Sequence, residues 1–175
     1  MTASVVDGAM ELSGARVAVI GLGASGQAAA RLALSRGGQV YVSDLRADAQ
    51  TAAGGAELRA LGAHVEWGGH DVERLARADL VVVSPGIPPH APVLRELRAR
   101  GARWISEPEL AVRFFQGPLI AITGTNGKTT STLLVAHLLQ AAGLRAAVGG
   151  NVGGGFAPAA SDLALLPDAP DWYVL

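Results

Sequence analysis

The residues best equipped for chemistry lie in one short loop, Gly124-Thr125-Asn126-Gly127-Lys128-Thr129-Thr130. It follows the apolar run Leu119-Ile120-Ala121-Ile122 and precedes a helical pattern from Thr129 to Ala142. In that context backbone N–H groups converge on phosphate oxygens. Lys128 is placed to reach the β and γ phosphates of ATP, and the Thr129 hydroxyl to ligate Mg²⁺. Ile122 stands where the general G-x-x-x-x-G-K-[ST] pattern has its first glycine. The competing reading is a glycine turn before a buried helix, with Lys128 merely solvated. It leaves one fact unexplained: of the 14 Lys and Arg residues, Lys128 is the lone lysine. A flexible ammonium is a different tool from a guanidinium fork.

A second glycine loop, Gly21-Leu22-Gly23-Ala24-Ser25-Gly26, also joins an apolar run to a helical pattern. Asp44 follows at roughly the 20-residue offset of a ribose partner in dinucleotide folds. On spacing alone this loop reads as an NAD site, as a holder of some other diphosphate, or as a turn needed for close helix packing. Ser84-Pro85-Gly86-Ile87 ends a further apolar run and so falls at the same carboxyl edge of a sheet, where open α/β sheets bind ligands; it also reads as a plain turn. Asn151, one of two asparagines, lies in the glycine-rich stretch Gly149 to Gly155, which suits either a ligand contact or a surface loop. His64, His70, His90 and His137 share no metal-ligand spacing and read as structural or solvated. Asp162, Asp168 and Asp171 read as cap or turn residues.

These loops need a scaffold, and the chain predicts an α/β one. β-rich runs alternate with helical patterns: Arg16 to Ile20 then Ser25 to Arg36, Gln39 to Ser43 then a looser helix around Ala56 to Leu61. His64 to Trp67 precedes a helix near Val72 to Ala76, and Leu80 to Val83 precedes Val93 to Arg100. Such repetition predicts a parallel sheet with helices on both faces. Arg103 to Ile105 closes the unit. Ser106-Glu107-Pro108-Glu109 carries the signature of a helix start, running to about Phe115 and linking two units. The second unit opens at Leu119; Arg145 to Val148 and Trp172 to Leu175 read as further strands. A strand at the end of the chain, in a half-built sheet with an open edge and face, leads to the expectation of a fragment. Met10 is an alternative start to Met1.

Composition narrows the function classes. A net charge of -1 gives no basic field for nucleic acid, and 3 Phe, 3 Trp and 2 Tyr leave few platforms for stacking bases. With no cysteine there is no disulfide framework or thiolate zinc site. No apolar run approaches the ~20 residues of a membrane span, and the first residues lack a signal-peptide pattern. A soluble, cytoplasmic, monomeric protein is expected.

Taken together, the strings at 17 to 26, Ser84 to Ile87, 122 to 130 and Gly149 to Gly153 resemble the Mur ligases over essentially the whole chain after residue 10. Their order is most similar to the member that joins D-glutamate to UDP-N-acetylmuramoyl-L-alanine in cytoplasmic peptidoglycan precursor synthesis. The resemblance implies a Rossmann-like parallel-sheet N-terminal domain, residues 1–105, for the UDP-substrate. A truncated P-loop ATPase-type central domain, residues 106–175, follows, with the C-terminal domain absent. It places Ala24 and Ser25 at the diphosphate, Asp44 and Arg46 near the uracil, Ser84 and Gly86 beside the sugar-phosphate and Asn151 at the muramoyl group. Gly124, Thr125, Asn126, Gly127, Lys128, Thr129 and Thr130 fall at the ATP and Mg²⁺ site, with Lys128 acting in catalysis. Leu45 departs from the family's usual hydroxyl residue. The family's metal-binding Glu, a His and a carbamylated Lys come later than Leu175, so this chain is expected to be inactive alone. The alternatives are an NAD(P)-binding oxidoreductase or regulatory dinucleotide module, and a non-catalytic nucleotide-binding or interaction protein.

Overall fold

The computed structural model describes residues 5–6, 9–152 and 157–175; Met1 and the expected loop residues Gly153, Gly154 and Gly155 lie outside them. Strands β1 (Val5–Val6) and β2 (Ala9–Met10) form a small antiparallel pair. The main sheet is built from β3 (Arg16–Ile20), β4 (Gln39–Asp44), β5 (His64–Trp67), β6 (Leu80–Val83) and β7 (Trp104–Ser106). All are parallel, in the order β5-β4-β3-β6-β7. Both faces are covered, so continuous apolar runs such as Leu80-Val81-Val82-Val83 need no polar alternation.

One face, with Val17, Val19, Val40 and Val42, packs against α1 (Ala24–Ser35) and α2 (Ala49–Ala60). The other, with Ala18, Ile20, Tyr41, Val81 and Val83, packs against α3 (Val72–Ala76) and α4 (Pro92–Ala99). α2 begins seven residues before the run that suggested it: Asp48 caps it by accepting the Thr51 N–H at 2.8 Å. Arg16 and Asp79 lock the start of β3 to that of β6. The Asp79 carboxylate takes the Arg16 N–H at 2.9 Å and its guanidinium at 2.9 and 3.1 Å. This grip holds the Asp79 carboxyl down at about 2.

Ser106 caps α5 (Glu107–Val112), its hydroxyl accepting the Glu109 N–H. A second, three-stranded parallel sheet follows, from β8 (Leu119–Ile120), β9 (Ala146–Val148) and β10 (Trp172–Val174), with α6 (Lys128–Ala141) joining the first two. β10, the last strand in sequence, is central, between β8 and β9. Leu133, Leu134 and Leu138 on α6 are more than half exposed.

The short helix α7 (Ala160–Leu163) was not legible in the sequence. It packs on α1 and α5. Asp162, read as a cap, pairs instead with Arg31 of α1 at 2.9 Å. The Phe115 ring stacks on Tyr173 with centroids 3.8 Å apart, and Arg36 lies over the Phe114 ring. Contacts of this kind join the two sheets through α5 and α7.

Candidate functional site

In a 3-2-1-4-5 parallel sheet the strand order reverses between the first strand and the fourth, and ligands settle in the crevice at their carboxyl ends. Here that crevice lies between the loops leaving β3 and β6. A cavity of about 500 Å³ occupies it, lined by Gly21, Gly23, Ala24, Ser25, Asp44, Leu45, Arg46, Ser84, Gly86 and Ile87. Six residues singled out from the sequence, Ala24, Ser25, Asp44, Arg46, Ser84 and Gly86, thus face one space. A larger cavity, about 620 Å³, opens at the amino ends of the strands. Its guanidinium groups are already paired, Arg16 with Asp79, Arg74 with Glu66 and Arg77 with Glu73. The smaller cavity, at the switch point and beside an uncapped helix start, is the better candidate.

The glycine loop sits where it does because α1 lies close against β3. An added Cβ on Gly26 would come within 1.9 Å of the Gly21 carbonyl oxygen. The side chain of Gln27 donates to the Leu22 carbonyl at 2.8 Å and braces the loop from within. α1 starts at Ala24 with no side-chain cap, so its first N–H groups point into the cavity region without a competing acceptor.

Asp44 does not behave as the spacing suggested. Asp44 is buried, 3% exposed, and its carboxylate is turned toward the loop, accepting the Leu22 N–H at 2.7 Å and the Arg46 N–H at 2.8 Å. The Arg46 guanidinium adds bonds at 3.3 and 3.2 Å. A carboxylate has about four lone-pair sites, and these four donors fill them, two on each oxygen. Burial alone would push the carboxyl up; the Arg46 guanidinium and the two backbone N–H groups outweigh it and hold Asp44 below its ordinary value. Asp44 therefore organises the glycine loop and fixes Arg46 at the rim. Beside it, buried Ser43 bonds His70 Nδ1 at 2.8 Å, a contact that histidine spacing could not reveal.

The second loop is separate. Gly127 has φ 78°, the left-handed region that favours glycine, and immediately precedes α6, whose first residue is Lys128. Lys128 Nζ folds back to donate to the Gly124 carbonyl at 2.6 Å and that of Thr125 at 3.3 Å. Gly124, Thr125, Asn126, Gly127, Lys128 and Thr130 are exposed and Thr129 is half-buried. The Ile122 N–H pairs with the Leu175 carbonyl at 2.7 Å, extending the sheet up to the loop. Among the described residues no group of three or more His, Cys, Asp or Glu could hold a metal ion. Asn151 is exposed after β9 and does not line the switch-point cavity.

An open parallel α/β sheet with a nucleotide-type crevice at its switch point defines the class of protein, and comparison with known proteins places it further. Residues 15–106 match the family model of the Mur ligase MurD-like N-terminal domain. The UDP-N-acetylmuramoylalanine--D-glutamate ligase of Desulfatibacillum aliphaticivorans is 44% identical over 144 residues, 82% of this chain and 32% of that protein. The enzyme of the same name from Acidobacterium capsulatum is 45% identical over 168 residues, 95% of this chain and 35% of that protein. Among solved structures, a pseudomurein peptide ligase type C from Methanothermus fervidus superposes with a TM-score of 0.53 at 27% identity, covering 92% of this chain and 32% of that one. A murein peptide ligase from Psychrobacter arcticus gives 0.51 at 27% identity, covering 77% and 28%. The chain belongs to the MurD-like Mur ligase family. It spans about a third of the length of the curated relatives it matches.

Proposed function

We propose that the chain carries the nucleotide-sugar half of an ATP-dependent amide ligase acting on UDP-N-acetylmuramoyl-L-alanine and D-glutamate. Residues 1–105 form the UDP-substrate unit, and residues 106–175 open a P-loop ATP-binding unit. The observation that carries this reading is the single switch-point cavity shared by Ala24, Ser25, Asp44, Arg46, Ser84 and Gly86. The uncapped start of α1 offers N–H groups to the diphosphate. Arg46, held by Asp44, borders the uracil, and buried Ser84 meets the sugar-phosphate.

In the reaction of this class, the substrate carboxylate attacks the γ-phosphorus of ATP to form an acyl phosphate and ADP. The D-glutamate amine then attacks the acyl carbon and expels phosphate. The contribution of this chain is positional and electrostatic. Lys128, now on carbonyls of its own loop, would turn to the transferring phosphoryl group and neutralise its charge; the loop N–H groups would hold the phosphates, and the Thr129 hydroxyl would be a ligand for Mg²⁺, which would supply further charge neutralisation. Asn151 steadies the muramoyl end. Among the described residues no helix is long and apolar enough to cross a membrane.

The dinucleotide alternative needs a carboxylate free to accept ribose hydroxyls, and the lone pairs of Asp44 are already taken. Amide shift mapping with UDP tests the location. The N–H signals of Leu22 to Gly26, Leu45, Arg46, Gly86 and Ile87 are expected to move, while those of Gln39, His64 and Arg74 stay fixed. Shifts confined to the second group would place the nucleotide in the wrong cavity and refute the assignment.

A further inference from the structure

Glu107 is the most buried carboxylate among the described residues, 1% exposed, and no basic side chain lies within ion-pair distance of it. Burial pushes its carboxyl up from the ordinary value. Nothing in the proposed reaction uses it. An unpaired buried carboxylate is costly to keep, so its partner is informative. That partner is the Ser161 N–H, 2.6 Å away and 54 residues later.

Ser161 lies in α7, and α7 is held by α5 and α1 at three points. Besides Glu107 of α5, Arg31 of α1 pairs with Asp162 at 2.9 Å, and Arg36 at the end of α1 donates to the Ala164 carbonyl at 3.3 Å. In turn α7 and the segment leading into it hold the loop before Asn151. The Gly150 N–H donates to the Pro158 carbonyl at 2.9 Å. Gly149 is buried so tightly that an added Cβ would fall 2.6 Å from Leu163 Cδ1 and 3.0 Å from Pro158 O. α1 begins with Ala24 and Ser25 in the switch-point cavity and ends at the clasp on α7. One rigid path therefore runs from the diphosphate loop along α1, through α7, to the loop that presents Asn151.

We propose that Glu107 is a positioning residue which, through α7, sets the Asn151 loop at a fixed offset from the diphosphate loop and so fits the site to the length of a nucleotide sugar. This rests on the functional reading above, in which the diphosphate and the muramoyl group meet those two loops. UDP touches only the first; UDP-N-acetylmuramoyl-L-alanine spans both. Losing the clasp should therefore cost affinity for the long ligand alone.

Calorimetry of the 175-residue chain with both ligands tests this. Glu107→Ala is expected to weaken UDP-N-acetylmuramoyl-L-alanine about five-fold or more, the scale of one lost hydrogen bond, with UDP held within about two-fold. Glu107→Gln keeps an acceptor oxygen for the Ser161 N–H and is expected to restore most of the loss. Arg31→Ala removes the half-exposed ion pair of the same clasp. It is expected to shift affinity in the same selective direction, and it decides the matter if Glu107→Ala does not fold. Parallel changes for both ligands, or equal affinity of the unaltered chain for the two, would overturn the positioning role. If the unaltered chain binds neither ligand, the functional reading itself fails.

Discussion

Gly26→Ala is expected to lower the thermal midpoint by on the order of 10 °C and to abolish measurable UDP binding. Its Cβ would sit 1.9 Å from the Gly21 carbonyl oxygen and 2.8 Å from the Gly21 carbonyl carbon. Both are backbone atoms, fixed by the Gly21 N–H bond to the Ser43 carbonyl at 2.8 Å. No rotamer change relieves such a clash, so α1 must move away from β3. Overpacking of this kind costs about 3 kcal/mol, a large part of the stability of a small domain. The displacement also carries Ala24 and Ser25 out of register with Ser84 and Gly86 across the cavity. Gly23→Ala is the control. It lies in the same loop at φ -70°, with nothing within 4 Å of an added Cβ, and should be close to neutral by thermal melting. Equal effects of the two substitutions would show that the close approach of α1 to the loop is not what builds the site.

Lys128→Ala is expected to weaken Mg-ATP binding by roughly 10- to 100-fold, the range of a hydrogen bond to a charged group. UDP binding and stability should hardly change. Lys128 is exposed, and its bonds go only to carbonyls of its own loop, so removing it leaves no buried partner stranded. Lys128→Arg should fail to rescue, because a planar fork cannot replace a point charge at the end of a narrow loop. Nucleotide calorimetry and thermal melting check both halves. Unchanged Mg-ATP affinity in Lys128→Ala would return Lys128 to a merely solvated role.

The centre of the main sheet was legible in the sequence because β3, β4 and β6 are short valine-rich runs with Gly or Asp at one end, and α1 and α4 follow with apolar residues at helical spacing. The first turns of α2 were not. Gly54 and Gly55 depress helix propensity there, but they are small for tertiary reasons: side chains at those places would strike Gln27 and Trp67. α7 is four residues long and has no periodicity to read. It owes its place to Glu107, Arg31 and Arg36, which are distant in the chain.

The cavity residues were legible as motifs, because glycine loops at strand ends follow from backbone geometry. What the Asp44 carboxylate does was not. Spacing puts an acid at the end of β4, yet only the fold reveals that its lone pairs are filled by Leu22 and Arg46. Likewise Glu107 was read as part of a helix start, although its carboxylate serves another element altogether.

The central claim is that the switch-point cavity takes a uridine nucleotide sugar and not a nicotinamide dinucleotide. Calorimetric titrations of the chain with UDP-N-acetylmuramoyl-L-alanine and with NADH, run side by side, test it most directly. Saturable binding of the nucleotide sugar with none for NADH is the predicted result; NADH binding without binding of the nucleotide sugar would contradict it.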